Sequence, residues 1–177
     1  MKKQLIFSNN FFSIYSTKLR RKKIQKKYDV INFGRRVGIL FHYDDEVLLT
    51  KQFRFLINDF SWEICGGSIE RNETLREGAF REAFEETGFK AKNLKRLLTF
   101  YPGLDNFDNE TTIYSSEVKE NFRNLKNFTP SITEVEEIRW FKIDTCLKMI
   151  SKKKILDSMT ISSLYAFKLM IINNYRF

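Results

Sequence analysis

The segment Gly66–Phe89 reads GGSIERNETLREGAFREAFEETGF, and it sets six glutamates within one short stretch that follows a Gly-Gly pair. The spacing predicts a helix over Glu73–Thr87, with Gly88 suited to end it. At about 100° per residue, Glu82 and Glu86 lie on one face one turn apart, and Glu85 flanks them. Ala79, Ala83, Phe80 and Phe84 point in other directions, and some of them must pack on the rest of the protein. Arg81 stands beside the glutamates, where it could orient a carboxylate by a bidentate ion pair. An ordinary surface helix with i,i+4 pairs accounts for Arg76 and Glu77. It accounts poorly for Glu82, Glu85 and Glu86, because like charges at these spacings repel by roughly a few tenths of a kcal/mol each. A hard divalent cation, Mg²⁺ or Mn²⁺, would remove that cost by taking carboxylate oxygens together with a backbone carbonyl from a nearby turn. With His42 as the one histidine, an all-oxygen site is favoured over zinc. From periodicity alone, both readings stay open.

Outward from this segment, 177 residues suggest one domain, residues 1–177, with a substantial core. A hydrophobic fraction of 42% fits a folded protein. Cys65 and Cys146 stand far apart without metal-ligand spacing, so free thiols and a cytoplasmic location are expected. Near the start, Leu5-Ile6-Phe7 is far too short for a signal core, and Ser8-Asn9-Asn10 interrupts it. No segment is long enough to span a membrane. The net charge of +9 invites a nucleic-acid reading, but KLRRKKIQKK (Lys18–Lys27) contributes seven basic residues and no acidic one. Without that run the remainder carries +2. The run lacks interleaved aromatics and any nucleic-acid module, so an exposed hairpin end is the favoured reading, ahead of a guide for phosphorylated substrates or an RNA contact.

The rest of the chain alternates strands with turns. Leu5–Lys18 and Tyr28–Phe33 read as strands on either side of the basic run. Val37–Tyr43 and Val47–Phe53 form a hairpin through Asp44-Asp45. Phe60–Cys65 is a further strand, as are Leu94–Tyr101, Thr111–Val118 and Glu137–Ile143. Asp144 or Thr145 is expected to cap a short helix, and Ser158 or Thr160 a last one reaching about Asn173. Many strands with a few helices interposed late make an α+β fold.

The segment resembles the Nudix box, Gly-x5-Glu-x7-Arg-Glu-(apolar)-x-Glu-Glu-x-Gly-(apolar). Gly67 is followed after five residues by Glu73, and seven more precede Arg81-Glu82-Ala83-Phe84-Glu85-Glu86-Thr87-Gly88-Phe89. The resemblance implies an α/β/α sandwich with a mixed central sheet, and metal-assisted hydrolysis of a nucleoside diphosphate linked to another group. Gln52-Phe53-Arg54, Pro102-Gly103 and Glu134-Val135-Glu136-Glu137 are similar to the ADP-ribose and nucleotide-sugar pyrophosphatase branch. One departure is Ile64-Cys65-Gly66-Gly67, where that branch commonly has Leu-Pro-Ala-Gly.

Carried onto this chain, the resemblance implies Glu82 and Glu86 as the main Mg²⁺ ligands, with Mn²⁺ as a substitute. Glu85 would support them, and the Gly66 carbonyl and Glu136 would complete the set. Arg54 would grip a phosphate, Gly103 would lie at the substrate, and Glu134 would activate water. A homodimer is implied, with residues 1–33 as the dimerisation element and Phe11, Phe12 or Tyr28 available to stack on a base. Other expectations keep the box and change the role: a dinucleoside polyphosphate, coenzyme A or capped RNA as substrate, or a non-catalytic nucleotide-sugar sensor.

Overall fold

In the computed structural model, residues 3–119 and 134–173 are described. Two sheets form. The first is antiparallel, from β1 (Lys3–Ser8), β2 (Ser13–Arg21) and β3 (Ile24–Asn32) in that order. The expected strand Leu5–Lys18 is thus two strands. Its break is an Asx-type turn, in which the Asn9 side chain accepts hydrogen bonds from the backbone N–H groups of Phe11 (2.8 Å) and Phe12 (2.9 Å). The basic run forms the end of the β2–β3 hairpin, where Arg21 pairs with Ile24 and Lys22 takes a left-handed φ of 54°. Its side chains are exposed, as expected of a solvated hairpin end.

The second sheet is mixed. It contains β4 (Arg36–Tyr43), β5 (Glu46–Arg54), β6 (Asp59–Glu63), β7 (Cys65–Ser68), β8 (Lys95–Phe100), β9 (Thr111–Glu117) and β10 (Val135–Lys142). Its main order is β10-β5-β4-β9-β8, and the parallel pair β4–β9 makes it mixed. β4 and β5 pair beside their turn, at His42 with Val47 and Tyr43 with Glu46, and then take different partners. β5 continues with β6 and β4 continues with β7, so the expected strand Phe60–Cys65 changes partner at Ile64. The change pairs the start of the glutamate-rich segment with β4.

Alternation along β4 explains the layers. Val37, Ile39 and Phe41 face one side, in a core with Leu48, Cys65, Ala79, Ala83 and Tyr114. Leu40 faces the other side, with Val47, Leu49, Trp62, Ile64, Ile113, Leu164 and Phe167. Helix α1 (Leu75–Thr87) covers the first face; α2 (Ile143–Ser151) and α3 (Ser158–Ile172) supply the second core. The result is the expected α/β/α sandwich with a mixed sheet. Cys65 and Cys146 are free and buried; burial pushes the Cys65 thiol well up and the Cys146 thiol up to about 12.

Helix boundaries differ from expectation by local capping. Thr74 caps α1 through a reciprocal box with Glu77, so the helix begins at Leu75 instead of Glu73. Gly88 ends it in the left-handed region at φ 70°, as expected. α2 starts after Lys142 without a side-chain cap, and Asp144 pairs with Lys168 at 2.7 Å. α3 is capped by Asp157, which accepts from the Thr160 N–H at 2.7 Å. Among the described residues, no helix is long and apolar enough to cross a membrane.

Candidate active site

α1 is held to the sheet by small residues. Gly78, Ala79 and Ala83 are buried, while Phe80 and Phe84 are 38% and 44% exposed. This close seating carries the glutamates against the β7 backbone. A Cβ on Gly67 would collide with the Glu82 carboxylate, so glycine leaves the space that this carboxylate occupies. A Cβ on Gly66 would collide with the Val37 carbonyl and stand 2.7 Å from Gly38 Cα. The Gly-Gly pair therefore serves two contacts: Gly66 permits β4–β7 pairing, and Gly67 receives Glu82.

Arg81 organises the cluster. Its Nε and Nη2 donate to the two Glu73 carboxylate oxygens at 3.0 and 3.1 Å. Nη1 donates to Glu82 Oε1 at 2.9 Å and Glu85 Oε2 at 3.1 Å, and Nη2 also reaches the Ser68 carbonyl at 2.9 Å. Arg81 does orient a carboxylate by a two-pronged pair, and the partner is Glu73. This bond holds the Glu73 carboxyl below the usual carboxylate range. Glu85 is half-exposed and directed to Arg81.

Glu86 lies deeper. Its Oε2 accepts from the Gly66 N–H at 3.3 Å, and it also receives a hydrogen bond from Gln52. Burial pushes its pKa up to about 8, the Glu82 charge adds to the rise, and Gln52, Gly66 and Arg54 oppose it. Burial also raises the Glu82 carboxyl, against the opposing pull of Arg81. Two adjacent carboxyls disfavoured as anions form a donor set that a hard divalent cation fits, because a bound cation favours both charged forms. Among the described residues, no three His, Cys, Asp or Glu side chains converge as a ready-made metal cluster.

A buried acid beside this pair was not anticipated. Glu63, 4% exposed, receives a fork from Arg54, whose Nε bonds Glu63 Oε1 at 2.9 Å and whose Nη2 bonds Oε2. Gln52, 2% exposed, was noted only as part of a motif. Glu63 cannot be found from its charge, since buried acids run against residue preference. For Gln52 the available signal was alternation on β5, which sends Thr50, Gln52 and Arg54 to one face.

The remaining expected residues are dispersed. Glu136 forms the bulge between Val135 and Glu137 on β10, and its carboxylate stands 3.8 Å from Lys51 Nζ. Glu134 is exposed in the turn before β10. Among the described residues, no hydrogen bond or ion pair joins either to Glu82 or Glu86. A Cβ on Gly103 would stand 2.7 Å from the Phe107 ring, so this glycine makes room for Phe107.

Residues 32–159 match the NUDIX domain model, which spans the box and both faces of the mixed sheet. The chain belongs to the NUDIX family. Over 164 residues, covering 89% of this chain and 85% of the relative, it is 27% identical to an ADP-ribose pyrophosphatase of Bacillus subtilis (strain 168). It is 29% identical over 133 residues to a CMP-5'-(N-acetyl-N-hydroxy-3-aminopropyl)phosphonate hydrolase of Streptomyces rubellomurinus (strain ATCC 31215). That match covers 75% of this chain and spans 63% of the relative's length. It is 30% identical over 132 residues to diphosphoinositol polyphosphate phosphohydrolase 2 of Rattus norvegicus, covering 73% of this chain and 69% of the relative. A crystal structure of an ADP compounds hydrolase superposes over all of this chain and 95% of its own, with a TM-score of 0.71 at 16% identity, which shows a shared fold. The NUDIX assignment and the likeness to the ADP-ribose pyrophosphatase branch, both drawn from the box and its flanks, hold.

Proposed function

We propose that this NUDIX domain hydrolyses the pyrophosphate of ADP-ribose or a related nucleotide sugar to a nucleoside monophosphate and a sugar phosphate, with Mg²⁺ as cofactor. The observation that carries the reading is the Glu82–Glu86 pair, seated against Gly66 and Gly67 and steadied by Arg81. The likeness to an ADP-ribose pyrophosphatase over most of both chains supports the choice of substrate.

Glu82 and Glu86 would hold the cation, with the Gly66 carbonyl and Glu136 as further ligands. When bound, Mg²⁺ supplies charge neutralisation at the phosphates and an acidified water. The chain's own groups have distinct tasks. Arg81 fixes the Glu82 carboxylate and keeps Glu73 and Glu85 from repelling it. Gln52 and the Gly66 N–H orient Glu86. Glu63 holds the Arg54 guanidinium by Nε and Nη2, which leaves Nη1 to meet a phosphate oxygen. Glu134, in the turn before β10, would accept the proton of the attacking water. A homodimer built through residues 1–33 belongs to the same proposal; Leu5, Ile6, Phe7 and Phe11 are exposed on this sheet and its turn.

The test is turnover with Mg²⁺ across ADP-ribose, GDP-mannose, UDP-glucose, a dinucleoside polyphosphate, coenzyme A, a diphosphoinositol polyphosphate and capped RNA, with products identified by mass. A nucleotide sugar converted to monophosphate and sugar phosphate is the expected result. Turnover confined to any of the others would keep the chemistry and overturn the substrate class. Tight ADP-ribose binding without turnover would make the protein a sensor.

A further inference from the structure

A cavity of about 210 Å³ opens at the start of β4, lined by the apolar Phe33, Phe100, Pro102 and Phe107 and by the polar Arg36, Asn109 and Asp157. It is smaller than the roughly 300–1,000 Å³ of a pocket for a whole drug-sized ligand, so it suits one moiety. The Phe33 and Phe107 rings stand 6.0 Å apart and form one continuous aromatic wall. Two of the polar groups in the lining carry an unpartnered atom. Asn109 is only 4% exposed, and its Oδ1 is buried without a hydrogen-bond partner among the described residues. Arg36 Nε is likewise buried and unpartnered. Leaving such groups unmade costs roughly 1–3 kcal/mol each, a cost that a ligand supplying the missing partners removes.

The position links the cavity to the carboxylates. Arg36 pairs in register with Ser68 of the box on one side and with Thr111 on the other. Its charge also acts on Glu82. The loop carrying Phe107 and Asn109 is fixed to β3, since the Ile31 N–H donates to the Asn106 carbonyl at 2.8 Å, and it is closed on itself by the Phe107 N–H donating to the Gly103 carbonyl at 2.9 Å. Aromatic walls favour a flat ring, and one cation without further basic residues disfavours a second cluster of phosphates. A buried side-chain amide reads adenine by accepting from its exocyclic amino group while donating to a ring nitrogen.

We propose that this cavity is a nucleobase subsite contributed wholly by one chain, in which Asn109 selects a base carrying an exocyclic amino group and Phe107 stacks on it. Arg36 lies between base and carboxylates, where the ribose and first phosphate of the same ligand pass. The inference rests on the nucleotide-sugar reading above and deepens it. It assigns the base to Phe33 and Phe107, in place of Phe11, Phe12 or Tyr28.

The test is calorimetric binding of AMP and IMP, which differ at the exocyclic group, to the cation-free wild type and to Asn109→Leu. AMP is expected to bind the wild type about tenfold more tightly than IMP, the effect of one well-made buried hydrogen bond. That preference disappears in Asn109→Leu while unfolding stays cooperative. Equal affinities, a preference for IMP, or a preference retained in Asn109→Leu would overturn the subsite. The wild-type comparison decides the matter even where the variant is too unstable to purify. An AMP preference with no nucleotide sugar turned over would support the subsite and sink the nucleotide-sugar reading; turnover of a nucleotide sugar with equal AMP and IMP affinities would do the reverse.

Discussion

Glu86→Gln is expected to lower turnover about a thousandfold, as loss of roughly 4 kcal/mol of transition-state stabilisation would, and yet to make the cation-free protein more stable at pH 8. The two effects share a cause. Glu86 is buried beside Glu82, and its folded-state pKa is pushed up to about 8 from an ordinary value of 4.5. Between those values the folded state keeps a proton that the unfolded chain has released, so stability falls as pH rises. The loss begins near pH 4.5 and is complete above pH 8. Glutamine keeps the hydrogen-bonding shape without the charge, and its stability should fall less steeply across this window, with the part due to Glu82 remaining. The difference at pH 8 should be on the order of 2–4 kcal/mol. Denaturant unfolding at pH 5 and pH 8, with chelator present, measures it; a variant less stable than wild type at pH 8 would show that Glu86 is not the strained group.

Arg81→Gln is expected to have the largest effect on the fold itself. Its guanidinium serves Glu73, Glu82 and Glu85 together, and the Arg81 and Glu73 side chains are 24% and 13% exposed. Removing it leaves three carboxylates around a void, two of them substantially buried, at a cost of about 2–4 kcal/mol near pH 7. For a chain of this length that corresponds to a Tm lower by roughly 5–15 °C. Glu73 has a depressed folded pKa because of Arg81, so the stability Arg81 provides through it is present above the usual carboxylate range and lost on acidification. The gap between wild type and variant should therefore narrow by pH 4. Turnover should fall as well, because Glu82 loses its fixed orientation. Equal melting of the two proteins at pH 7 would contradict this role.

These residues were legible because the box is local. A turn, a cap and a helix hold their spacing in three dimensions, so Gly67, Glu73, Arg81, Glu82 and Glu86 could be placed from one stretch of chain, and Gly88 ended the helix as its conformational freedom suggests. Legibility falls where the contact is made by strand pairing. Glu63 and Arg54 meet because β5 and β6 pair, and nothing in the sequence around Glu63 marks it as buried. The change of partner at Ile64 was hidden because an uninterrupted extended segment looks the same whichever strand it joins. The turn at Asn9 was visible as an interruption of an apolar run, but its consequence, a separate β1, depended on a side-chain hydrogen bond to the following backbone. The Asn109 cavity required three distant segments to meet, 33–36, 100–111 and 157–159.

The most direct measurement is the proton count on Mg²⁺ binding. At pH 7 a Glu86 with a pKa near 8 is mostly protonated, so saturating the wild type with Mg²⁺ in a weakly buffered solution should release roughly one proton per chain. Glu86→Gln should release almost none and bind the cation weakly. Mg²⁺ binding or proton release unchanged in Glu86→Gln would contradict a metal site built on the Glu82–Glu86 pair; wild-type binding with no proton release would contradict the raised Glu86 pKa.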